Sequence, residues 1–97
     1  MKGFFNVLDH SANKTNNFTT LQNARMDVVG ELEAIIQYEN HLMQTTSISA
    51  QNTIKHIVDE EKTHVGERMV LIGHLDPESK RLFEKGLEEF NKEFKER

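Results

Sequence analysis

The chain has 97 residues, 36% hydrophobic and 29% charged, and its 12 Lys and Arg against 16 Asp and Glu give a net charge of −4. That length fits one small domain, and an acidic balance without any Lys/Arg run excludes an electrostatic nucleic-acid surface. The absence of cysteine excludes disulfides, thiolate metal sites and Cys nucleophiles, and no apolar run is long enough to span a membrane, so a cytoplasmic location is expected.

Residues 1–19 carry Phe4, Phe5, Val7 and Leu8, too short an apolar stretch for a signal-peptide core, followed by a tract rich in Ser, Asn and Thr. Those residue types favour turns and caps over helix interiors, so the segment reads as an N-terminal arm. From residue 20 to 44 the apolar positions Val28, Val29, Leu32, Ile35, Ile36, Leu42 and Met43 recur at helical spacing, and a first long helix is expected there. Gly30 inside it costs ~1 kcal/mol against Ala. Thr45-Thr46-Ser47-Ile48-Ser49 reads as a tight connection, with Ser47 or Ser49 as the next N-cap.

A second helix is expected over residues 50–72, with a stripe of Ile54, Ile57, Val58, Val65, Met69, Leu71 and Ile72 and with Gly73 as its C-terminal stop. Asp76-Pro77-Glu78 then combines a cap residue, a proline suited to the first helical position and an acidic first turn. It starts a third helix over residues 77–95, whose Phe83, Leu87, Phe90 and Phe94 form a narrow apolar seam. The division is a single domain over residues 1–97: an arm to 19, an antiparallel hairpin over 20–75 and a C-terminal helix over 76–97. Two long helices cannot cover their own apolar faces, so a homo-oligomer is expected.

Glu31 and Glu61 each lie about 15 residues from Thr46, so in an antiparallel hairpin both sit roughly 22 Å from the turn. His64 follows Glu61 by three residues and shares its face. Val28, Glu31, Ile35, Tyr38 and Leu42 follow one heptad-like stripe; Ile57, Val58, Glu61, His64, Val65 and Arg68 follow another. A carboxylate among Ile and Val carries a large desolvation cost unless it is paired or metal-bound. Glu-x-x-His alone is common on surface helices; its matched height with Glu31 makes the three residues a candidate metal site. Carboxylate and imidazole suit iron, with zinc or calcium as substitutes. One chain supplies two Glu and one His, half of the four-helix di-iron ligand set, and a two-fold dimer would double it. Tyr38 reads equally as a core-edge aromatic or as a hydrogen-bond donor to the site, Glu33 as a solvated charge unless it lines a cation route, and Arg68 as an ion-pair partner for a buried Glu.

The segments Gly30-Glu31-Leu32-Glu33-Ala34-Ile35-Ile36-Gln37-Tyr38 and Asp59-Glu60-Glu61-Lys62-Thr63-His64 together resemble the encapsulated ferritin family, over roughly residues 25–78. The resemblance implies an all-α, ferritin-like fold in which two-helix chains dimerise into a four-helix bundle. It implies that Glu31, Glu61 and His64 of both subunits ligate two irons at the dimer interface, where they act as the ferroxidase centre oxidising Fe(II) with oxygen. It further implies a ring of dimers, commonly a decamer, housed in an encapsulin nanocompartment whose shell protein is the partner. Two positions depart from the family pattern. Gly30 stands where a Glu often assists metal entering the site, which leaves Glu33 alone for that role, and Gln37 stands where Trp is frequent. The family's short Gly/Leu-rich cargo tail is not evident in Phe90 to Arg97. Competing readings are a rubrerythrin-like peroxide reductase, a zinc-stabilised dimer, and a metal-free helical oligomerisation module in which Arg68 or a Lys neutralises Glu61.

Overall fold

The structure is a computed structural model that describes the backbone of residues 2–94 and the side chains of residues 17–94. Helix α1 runs over Lys2–Gln44, α2 over Ile48–Leu75 and α3 over Pro77–Glu89, the last continuing into a π-helical stretch, Phe90–Phe94. The all-α expectation holds. The N-terminal arm does not: residues 2–19 are the first turns of α1. Once a helix is nucleated, each Asn, Ser or Thr adds only a fraction of a kcal/mol against its extension, and no proline interrupts the chain before Pro77. Met1 and the expected last helical residue, Lys95, lie outside the described residues.

The turn between α1 and α2 is held by short-range hydrogen bonds. Thr45 N–H donates to the His41 carbonyl at 3.1 Å. Ser47 is the N-cap of α2, its Oγ accepting from Ala50 N–H at 3.3 Å, and the Gln51 side-chain amide donates to the Thr45 carbonyl at 3.0 Å. These bonds satisfy groups that a helix end leaves open. Ion pairs then tie α1 to the returning chain in antiparallel order away from the turn: Lys62–Glu39, Arg68 with both Glu31 and Asp27, and, at the corner beyond α2, Arg25–Asp76.

The seam between the arms is a heptad on both sides. Positions 21, 24, 28, 31, 35, 38 and 42 of α1, and 51, 54, 58, 61, 65, 68, 72 and 75 of α2, are all buried or half-buried. Val58, 2% exposed, is the best-buried side chain; burying it contributes ~2 kcal/mol. Leu21, Ala24 and Ile72 form a core cluster at the open end, joined by Val28, Leu71 and Leu75.

Helix α2 runs past Gly73, the expected stop, to Leu75. Gly73 is buried, and a Cβ there would stand 3.2 Å from Lys80 Cβ, so the glycine serves the close approach of α3 rather than a helix end. Asp76 alone joins the two helices. Its N–H closes α2 on the Ile72 carbonyl at 2.8 Å, and its carbonyl accepts from Lys80 N–H at 3.2 Å to open α3, with Pro77 at the first turn.

Candidate metal centre

Glu31 lies in the seam on α1 and Glu61 on α2, and His64 flanks the seam one turn beyond Glu61. One donor atom from each lies within 4.8 Å of the other two, the one such cluster of His, Asp and Glu among the described residues. Three donors about 2.1 Å from a common cation stand roughly 3 to 3.6 Å apart, so closing the cluster on a metal asks for side-chain rotations that bring the donor atoms about an ångström closer together. The Glu61 and His64 side chains are already near one another, with Oε1 and Nδ1 3.9 Å apart.

Exposure grades across the cluster. The Glu31 side chain is 12% exposed, Glu61 23% and His64 45%. The deepest of the three candidate donors is thus a carboxylate, and its Oε2 is buried without any hydrogen-bond partner. An orphaned carboxylate oxygen in an apolar seam is costly, and a cation is the chemical species that would remove the cost. The donor set of two carboxylates and an imidazole fits a divalent first-row metal such as Fe(II).

The other sequence-derived candidates fall outside the cluster. Glu33 is exposed. Tyr38 is half-buried two turns beyond Glu31 on the same seam and packs edge-on against His41, with ring centroids 6.3 Å apart. Arg68 pairs with Glu31 rather than with Glu61 as the metal-free reading has it: its Nε lies 3.5 Å from Glu31 Oε1 and 3.8 Å from Asp27 Oδ2. The heptad puts Arg68 seven residues beyond Glu61, two turns nearer the open end, and so beside the α1 carboxylates. Asp27 is the residue that sequence reasoning missed. Its spacing of four from Glu31 was visible, but nothing local showed that one arginine would serve both.

The fold is ferritin-like and all-helical. Among solved structures the chain is similar to the crystal structure of an encapsulated ferritin domain from Pyrococcus furiosus, with a TM-score of 0.76, 29% identity and 80% of each chain covered. Among curated proteins it is similar to an encapsulin nanocompartment cargo protein of Myxococcus xanthus. That match is 37% identical over 54 residues, which are 56% of this chain and 42% of the relative. It is also similar to a ferritin-like–encapsulin shell fusion protein of Pyrococcus furiosus, 35% identical over 65 residues, which are 67% of this chain and 19% of the relative. The chain therefore spans less than half the length of either curated relative. No protein-family model matches it. The likeness to encapsulated ferritins read from two helical segments is borne out by these relatives.

Proposed function

We propose that the chain is a ferroxidase subunit whose iron site is completed by a second copy. The observation that carries this reading is the convergence of Glu31, Glu61 and His64, with an unpartnered Glu31 oxygen at its buried end. Three donors are too few for two irons; a two-fold dimer offers six. In the reaction two Fe(II) each give one electron to oxygen, which takes up two protons and leaves as hydrogen peroxide. This chain's carboxylates hold the substrate ions and balance the charge that grows as they oxidise. The names of the relatives support the further proposal that the protein handles iron inside an encapsulin nanocompartment in the cytoplasm.

The second reading is a metal-free oligomerisation module. It is favoured by the Arg68–Glu31 pair, which gives the carboxylate a counter-charge without metal. Aerobic Fe(II) oxidation, followed optically, separates the two. Wild type should run well above a protein-free blank, while Glu61→Ala and His64→Ala should fall to the blank with helical circular dichroism intact. Equal rates for all samples would remove the ferroxidase reading and leave the module.

A further inference from the structure

We propose that Arg68 is a built-in counter-cation of this centre: its guanidinium holds Glu31 through Oε1, and an incoming divalent cation must displace it. The proposal rests on the metal-site reading above and adds a residue that competes with the metal. Three observations converge. Arg68 occupies a seam position, between Val65 and Ile72 in the heptad, where an apolar side chain would ordinarily pack. Its Nε is buried and makes no hydrogen bond, although Glu31 Oε1 is 3.5 Å away and Asp27 Oδ2 3.8 Å. The pairing is thus charge attraction without a hydrogen bond, which makes it exchangeable. Beside it a groove of about 260 Å³ is lined by His64, Glu67, Arg68 and Leu71, open enough to receive the guanidinium near the Glu67 carboxylate.

A guanidinium stays charged at any physiological pH, so it can yield to a metal only by moving. While it sits on Oε1, a metal meets one free oxygen of Glu31, Oε2, and a like charge a few ångströms behind it. Removing the charge strengthens metal binding and leaves Glu31 uncompensated in the metal-free protein.

The test is calorimetric titration with Zn²⁺ alone, as a redox-silent probe, on wild type, Arg68→Gln, Arg68→Lys and His64→Ala. Arg68→Gln should bind Zn²⁺ about tenfold more tightly (about 1.4 kcal/mol) and melt at a lower temperature without metal. Arg68→Lys, which keeps the charge, should bind like wild type. Unchanged or weaker binding by Arg68→Gln, or equal tightening by Arg68→Lys, overturns the proposal. If Arg68→Gln does not fold, the wild type still decides: the Arg68 Nε–H resonance should shift as Zn²⁺ is added, and an unmoved resonance at saturation refutes displacement. Failure of the underlying site looks different, since His64→Ala would then bind Zn²⁺ as wild type does, or wild type would not bind it.

Discussion

Two side chains converge on the carboxylate of Asp76, the single residue between α2 and α3. Ser79 Oγ donates to Oδ2 at 2.5 Å, and Arg25 of α1 reaches the same oxygen at 3.1 Å and Ser79 Oγ at 3.0 Å. The Ser79 hydrogen bond, with help from Arg25, holds the Asp76 carboxyl below its ordinary value of 3.8. A carboxyl depressed in the folded state contributes stability that is full above the unfolded value and lost as pH falls through the folded one. Thermal melts of wild type and Asp76→Asn should therefore differ near neutrality and converge as the pH drops below about 4. A gap that persists in acid would mean that the charge is not what the corner uses. Asp76-Pro77-Glu78 was legible as a helix start because capping chemistry is local. The arrival of Arg25 was not, since it bridges 51 positions of sequence and depends on the hairpin having already formed.

Between elements, spacing proved more informative than propensity. The heptads that carry Glu31 and Glu61 were readable because burial imposes a period, His64 followed from its spacing of three after Glu61, and the turn was readable because Ser47 is a cap wherever it precedes a helix. Residues 2–19 were misread because residue preferences are weak priors that an adjoining helix overrides. Gly73 was misread because a glycine that ends a helix and one that admits a neighbour look identical in sequence. Urea denaturation of two variants separates these roles. Gly66 has nothing within 4 Å of the point where an added methyl would stand, so Gly66→Ala should gain about 1 kcal/mol from helix propensity. Gly73→Ala should show no gain, because the new methyl meets Lys80 Cβ at 3.2 Å, an atom that moves only with α3.

The described residues form a slab, 62 × 40 × 14 Å, about one helix thick in its shortest dimension. Among the described residues no helix is long and apolar enough to cross a membrane. Yet Val29, Leu32, Ile36 and Met43 are 45%, 47%, 61% and 86% exposed, on a stripe about 100° around α1 from the seam. A second copy is the cover that the proposed function requires, and the stripe supports it without naming its geometry. Ile36→Lys should shift the protein toward monomer in size-exclusion chromatography with light scattering, with helicity retained. An unchanged mass would place the subunit contact elsewhere. In the sequence the expected oligomer shows only as a deficit of core, because composition gives how much apolar surface needs covering and not which face would meet which.

The double heptad also works as a ruler graduated in sevens. Glu31 and Glu61 meet because each stands a fixed number of seam positions from a turn that is itself only three residues long. One residue added between Glu31 and Gln44 would swing the carboxylate about 100° off the seam, whereas seven added to both arms would move the site outward and keep it intact. The distance from the turn to the Glu31–Glu61 cluster in this architecture is therefore quantised. Insertions inside the turn are tolerated, paired whole heptads are tolerated, and any other change of length between the two glutamates erases the site.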